Sequence, residues 1–370
     1  MSLRHRALSL VAIAALVPTL AAAQSDIADR LTMHGSLNQG YGKAFRMPTL
    51  GLPLNGTSDY RTFTFQVRYK LDDKNQIVSQ LFNRRFGTSP LAASINDMTL
   101  QWAYWQHKSG DVTVKFGRNP FPRGLVNEVR YIGSVNPFYR PPIELQSDAF
   151  DALDGMVATY HKELPHGFSV DQHVFAGGSE FRAIATTTTG ISLRVARTEN
   201  QYGYQTFLNV PVANIRIGAY GTRYSFRQST GTGHRANTVF SGEGSVGRVK
   251  LMTEHSRITG HGPSNDNRSG YYMGIVRITD RFSIADQYSY TNRKLYFTNT
   301  ALNFMYPELR NHGVVGIFNI NPYAQFKVES HWKKGWAWDS NTPPTVSSTN
   351  PTLTPIYHGS YVLISIAASY

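Results

Sequence analysis

From Arg61 the chain reads RTFTFQVRYKL, in which Phe63, Phe65, Val67, Tyr69 and Leu71 alternate with Thr62, Thr64, Gln66, Arg68 and Lys70. A period of two belongs to an extended strand, whose successive side chains point to opposite faces. One face of this strand is aromatic and apolar, the other polar and basic. The pattern recurs along the chain and ends in YVLISIAASY, where Val362, Ile364, Ile366, Ala368 and Tyr370 share a side. Such an end is out of place in a soluble chain, whose terminus usually frays in water.

A single strand of this kind suits a soluble β-sandwich as well as a membrane barrel, and the punctuation separates the two. Seven short connections hold turn residues between alternating runs: Asp72–Asn75, Lys108–Asp111, Glu163–Gly167, Pro211–Asn214, Val246–Arg248, Thr279–Arg281 and Ile320–Pro322. Eight longer ones interleave with them, at about 42–59, 87–96, 119–149, 178–203, 225–236, 258–270, 292–309 and 333–358. With both termini on the turn side, this makes sixteen strands. Tight turns at one rim and long loops at the other are the asymmetry of bacterial barrels, which turn apolar side chains to lipid and polar ones to a lumen. The reading is therefore all-β: one domain, residues 24–370, forming a transmembrane antiparallel β-barrel of sixteen strands. GISLRVAR (Gly190–Arg197) belongs either to the fourth long loop or to an extension of the strand Tyr204–Val210. As an independent strand it would move the number to fourteen or eighteen.

Residues 1–23 read as an export signal, with Arg4 and Arg6 ahead of the apolar run Ala7–Leu20 and small residues at Ala21–Ala23 for cleavage. No other stretch approaches the roughly 18 consecutive apolar residues of a membrane helix, and mean hydropathy is −0.33. A helical membrane protein is excluded; a barrel is not, since only alternate strand residues need be apolar. Cysteine is absent, so stability must come from a core or from a closed hydrogen-bond lattice. The formal charge is +13, and without Arg4 and Arg6 it is +11, with 35 basic against 24 acidic residues. An excess of this kind goes with nucleic acid, an anionic surface or an anion pathway. Export and the lack of dense basic runs set nucleic acid aside. Trp102 and Trp105 fall toward the turn end of a strand, and Trp332, Trp336 and Trp338 toward the loop end, as in the aromatic girdles of membrane barrels.

Phe116–Pro142 contains Gly117-Arg118, Pro122-Arg123-Gly124, Asn127-Glu128-Val129-Arg130 and Arg140-Pro141-Pro142. This run resembles the segment after the fifth strand in phosphate-selective and related sixteen-stranded porins of Gram-negative bacteria. Leu31–Gly42 is similar to the opening strand of general porins, and Phe207–Tyr220 to a proline-containing turn and strand of that group. The C-terminal alternation resembles the signal read by the outer-membrane assembly machinery. The resemblance implies a homotrimer in the outer membrane, among its lipids and lipopolysaccharide. It also implies that the loop after the fifth strand, Asn119 to Asp148, folds into the lumen. The dense lysine cluster expected of a dedicated phosphate channel is missing.

A pore selects ions by the charges on its wall. Arg68, Lys70, Arg84 and Lys115 are inward candidates by alternation, while Arg118, Arg123, Arg130 and Arg140 lie at the strand end or on the loop. Glu128, Glu144 and Asp148 are candidates for the opposite wall. Opposed charges set up a transverse field, which a low-dielectric wall strengthens. Lys327, Glu329 and His331 share one face of a strand, either as a lumenal ladder or paired with one another. The expected function is passive diffusion of small hydrophilic solutes with a modest preference for anions. The alternatives are a channel with a saturable site for an anionic or aromatic nutrient, a plugged barrel, and a barrel enzyme acting on lipid or peptide. The chain lacks a G-x-S-x-G elbow and an H-E-x-x-H pair. Its G-x-G-x-x-G, Gly242–Gly247, leads into a strand and so offers no helix N-terminus to a phosphate. His161, His173, His255 and His312 have no metal-ligand spacing. No catalytic residue, metal or other cofactor is expected. A barrel enzyme would show itself by a Ser/His or Asp/His pair within hydrogen-bond reach at the membrane face or outer rim.

Overall fold

The computed structural model describes residues 29–89, 97–145, 151–187, 190–228, 231–260, 266–297, 302–335 and 358–370. Sixteen strands follow in chain order. The first eight are β1 (Leu31–Phe45), β2 (Thr57–Lys70), β3 (Asn75–Phe86), β4 (Thr99–Ser109), β5 (Val112–Pro120), β6 (Ala152–Glu163), β7 (Ser169–Thr187) and β8 (Gly190–Val210). The second eight are β9 (Ile215–Gln228), β10 (Gly231–Val246), β11 (Val249–Gly260), β12 (Asp266–Arg277), β13 (Phe282–Phe297), β14 (Leu302–Asn321), β15 (Ala324–Gly335) and β16 (His358–Ser369). Each pairs antiparallel with its neighbours in sequence, and β16 returns to β1 to close the ring. The closing register sets Ser36 opposite Ser369 and Phe45 opposite Ser360. Past it, Gly35 and Tyr370 exchange two backbone hydrogen bonds of 3.0 and 2.8 Å. Closure gives every strand two partners, which is how a chain without disulfides keeps its backbone satisfied in a membrane. Among the described residues, no helix is long and apolar enough to cross a membrane.

The seven tight turns lie where the sequence places them, at one rim of the ring. At the first, Asp72 Oδ1 accepts the backbone N–H of Lys74 and of Asn75, both at 2.8 Å. The Asn75 amide donates to the same carboxylate, and these bonds hold Asp72 below the usual carboxylate range. Between β4 and β5, Gly110 takes φ +58 with nothing near its would-be Cβ, the geometry of a two-residue hairpin.

The other rim differs from the spacing. β7 and β8 run on to Thr187 and from Gly190, β9 and β10 meet at 228–231, and β13 and β14 at 297–302. Much of 178–203, 225–236 and 292–309 is thus strand rather than loop, and Gly190–Arg197 is the start of β8. The physical reason is that loss of apolar alternation marks where the apolar face ends, whereas ladder pairing continues through polar residues. The second and eighth long connections lie largely outside the described residues, as do Trp336, Trp338 and the segment 1–23.

Alternation holds throughout the ring. On β16, Tyr361, Leu363, Ser365 and Ala367 are buried inward while Ile364 and Ile366 stand outward and exposed. Phe116, Leu251, Ile217 and Phe240 expose more than half of their surface outward. Trp105 and Trp332 join that apolar face, but Trp102, three residues from Trp105, turns inward and is buried.

Candidate functional site

The connection between β5 and β6 is described over residues 121–145, and these touch inward-facing side chains on several sides of the ring. Leu125 N–H donates to Glu254 Oε1 of β11 at 2.8 Å. Tyr139 N–H donates to Glu329 Oε1 of β15 at 3.0 Å, and its hydroxyl to the Asn38 carbonyl of β1 at 3.0 Å. Arg84 of β3 donates to the Tyr131 hydroxyl at 2.8 Å, and Arg140 to the Tyr60 hydroxyl of β2 at 3.2 Å. Ser134 Oγ lies 2.7 Å from Ser369 Oγ on β16, and Lys327 Nζ of β15 donates to the carbonyls of Gly133 and Asn136. A segment bonded to the inward face of β1, β2, β3, β11, β15 and β16 of a closed ring lies inside that ring.

Three aromatic anchors give the segment its cores. Phe121 packs with Leu153, Val157, Phe175, Tyr220 and Val239. Phe138, with Val126, packs against Met252, Tyr271, Met273 and Val315. Tyr139 fills a cluster with Leu52, Tyr60, Phe86 and Leu363. Between them sit buried charges whose bonds are made by the segment. Glu254 is fully buried and also accepts from Ser241 Oγ at 2.8 Å and the Tyr271 hydroxyl at 3.0 Å. Gly124, at φ +66, passes so near that a Cβ would lie 2.1 Å from Glu254 Oε1; only glycine fits. On β15 the row Lys327, Glu329, His331 and Lys333 is buried, with His331 Nε2 3.0 Å from Glu329 Oε2 and the imidazole stacked on Tyr361 at 4.4 Å. The face noticed in the sequence is the seat of the segment, not an open ladder.

The charged candidates divide accordingly. Arg123 is buried and donates to the Leu145 carbonyl at 2.7 Å. Arg130 is buried and donates to Asn127 Oδ1 at 3.2 Å. Arg140 lies 4.2 Å from the Phe86 ring centroid, and Arg84 lies against Phe82, Phe86 and Tyr131. These four shape the segment and tie it to the wall. Glu144 is half-buried, its carbonyl accepting from Thr291 Oγ1 at 3.4 Å. Arg118 is displaced from the lumen altogether. With Lys115 and Gly117 inward, alternation turns Arg118 outward beside Phe116 and Met156, where it pairs with Asp154 of β6 at 2.8 Å. Asp148 lies outside the described residues.

Arg68, Lys70 and Lys115 point inward and keep solvent access, Lys115 with its Nζ 5.4 Å from the Tyr104 ring centroid. Glu128, on a short 3₁₀ turn (Asn127–Val129), is exposed. Tyr104 is in electrostatic reach of both Glu128 and Arg68, and His173 of Glu128, Lys115 and Arg216. Arg216 of β9 is a residue that the sequence reading missed. Alternation with Gly218 and Tyr220 places it inward, its guanidinium 3.7 Å from the Phe207 ring centroid and 3.6 Å from Glu243. Glu128 of the segment and basic residues of β2, β5 and β9 thus share the surroundings of Tyr104 and His173.

An Asp/His pair of the kind a barrel enzyme would need is present. His312 Nε2 lies 2.7 Å from Asp286 Oδ2, on the outward face of β14 and β13. Among the described residues, no serine or threonine hydroxyl bonds to His312. His255 is held by Thr253 Oγ1 and the Tyr290 hydroxyl, each at 3.0 Å, and that threonine donates to the Tyr271 carbonyl. The described residues contain no group of three side chains fit to hold a metal ion.

No protein-family model and no curated protein matches the chain. Solved structures match it over most of its length. The outer membrane channel DcaP of Acinetobacter baumannii aligns at a TM-score of 0.59 and 9% identity, covering 92% of this chain and 97% of that one. The anion-selective porin from Comamonas acidovorans aligns at 0.55 and 11%, covering 92% and 99%. The trimer form of OmpT, an outer membrane protein of Vibrio cholerae, gives the same four figures. The fold is that of the Gram-negative outer-membrane porins.

Proposed function

We propose that the chain is an outer-membrane porin, a channel and not an enzyme. Small hydrophilic solutes diffuse through it, anions slightly better than cations. Residues 1–23 serve as its export signal, and three copies assemble, as in the trimer form of the Vibrio protein. The observation that carries the reading is exposed Glu128 among the inward bases Arg68, Lys115 and Arg216, while the arginines of the segment are folded into its anchorage. Charges of both signs orient dipolar solutes, and Arg68, Lys70 and Lys115 beside one exposed acid favour anions, Arg216 being offset by Glu243. The anion-selective porin of Comamonas supports this preference by analogy of fold.

Purified protein in a planar bilayer under a salt gradient should give large, steady current steps with an anion-leaning reversal potential. A correctly folded barrel without conductance would end the porin reading. The outward face has its own test. Ile364→Lys puts a charge where lipid is expected and should lower unfolding stability in bilayers by about 2–4 kcal/mol, whereas Gln66→Lys on the inward face should cost little. Equal costs in urea titrations would contradict the assignment of the two faces.

A further inference from the structure

Several inward charges of the wall already have partners. Asp171 of β7 lies 2.7 Å from His161 Nδ1 and accepts from Asn209 at 2.8 Å. Glu243 of β10 pairs with Lys250 at 2.8 Å and with Arg216 at 3.6 Å. Arg68, Lys115 and Glu128 differ. Among the described residues none of the three makes a hydrogen bond or an ion pair, and the Nε of Arg68 is buried without an acceptor. A donor out of reach of water is costly to leave unmade.

The three charges also gather about one ring. Arg68 stands opposite Val78 and Val78 opposite Tyr104, so one short side chain lies between arginine and tyrosine along the ladder. Lys115 holds its Nζ 5.4 Å from the centre of the Tyr104 ring, and Glu128 is within electrostatic reach of that tyrosine. The Tyr104 hydroxyl has no hydrogen-bond partner among the described residues. Two positive charges and one negative are complemented by two carboxylates and one ammonium, the charges of an acidic amino acid. β2 and β5 are three strand spacings apart, roughly 14 Å of wall at about 4.8 Å each. Two separated carboxylates suit such a pair of bases better than one compact anion.

Resting on the porin reading above, we propose that this place is a saturable site for acidic amino acids. One carboxylate takes the guanidinium fork of Arg68, the other takes Lys115, and the ammonium donates to Glu128 while the methylenes lie on the Tyr104 ring. Lys70, one inward position nearer the turn rim, is exposed and draws the same solutes toward the mouth.

The test is block of the ion current in a planar bilayer at fixed ionic strength. L-glutamate should block saturably, at a concentration at least about ten-fold below that of glutarate, which lacks the ammonium, or glutamine, which lacks the second carboxylate; a single charge contact in partly watery surroundings is worth that much. In Glu128→Gln the advantage over glutarate should vanish, and in Lys115→Gln the advantage over glutamine. Steady conductance without block, equal block by glutamate and glutarate, or an unchanged preference in Glu128→Gln overturns the site and leaves the porin. A folded barrel without conductance ends both.

Discussion

Exchanging Arg68, Lys115 and Arg216 together for glutamate should convert an anion-leaning channel into a cation-selective one. The three inward side chains and Glu128 lie within electrostatic reach of Tyr104 or His173, and reversing the three changes the local charge by six units. A unit charge a few ångströms from a hydrated ion is worth roughly 1 kcal/mol in a watery pore, and each 1.4 kcal/mol is about a factor of ten. The ratio of anion to cation permeability should therefore fall by at least about tenfold, read as a change in sign of the reversal potential. Glu128→Gln should shift the potential the other way by a smaller step. The same exchange at Arg123 and Arg130 should behave differently. Both are buried, so reversal leaves unpaired charge in a core and loosens the segment instead of tuning it. A triple variant with the parental reversal potential would remove these three bases from the selectivity argument.

Releasing the segment is the second large effect. Lys327 is completely buried and donates to two carbonyls of the segment, and Glu254 accepts one of its N–H groups together with two hydroxyls. Lys327→Met strands those carbonyls beside a buried Glu329, and Glu254→Leu strands three donors. Removing one member of such a buried set costs about 3–5 kcal/mol. The barrel's ladders do not depend on either side chain, so the ring should persist while residues 121–145 leave their seat. The double variant should conduct in larger, noisier steps and be cleaved by protease within the segment. Parental conductance together with intact protease resistance would show that the aromatic anchors alone suffice.

The strand number and all seven turns were legible because each follows from local rules: period two within a strand, turn residues between strands. The inward bearing of Arg68 and Lys115 came from the same period. It applied equally to Arg118, and counting from Lys115 would have turned that arginine outward. The fate of Arg123, Arg130 and Arg140 was not legible. Their partners are the Leu145 carbonyl, Asn127 and the Tyr60 hydroxyl, and the last is brought near only by closure of the ring. A basic residue on a loop reads the same whether it meets water or a tyrosine 80 positions away. The extension of β8 over Gly190–Arg197 was one of the two readings the sequence offered, whereas the extensions of β7, β9 and β10 were missed because polar residues hydrogen-bond in a ladder as readily as apolar ones.

The bonds from Lys327 and Ser369 to the enclosed segment also dictate an order of construction. β15 and β16 are the last strands to leave the synthesis machinery, and they hold the carbonyls of Gly133 and Asn136 and the hydroxyl of Ser134. The seam joins the first and last strands of the barrel, a closure of high sequence separation and a slow kind of contact to form. The bonds to β15 and β16 therefore form only once those strands stand in the ring. Completing the wall and locking its contents draw on the same two strands, and a chain truncated before β15 would keep the segment but lack the clasp that holds it.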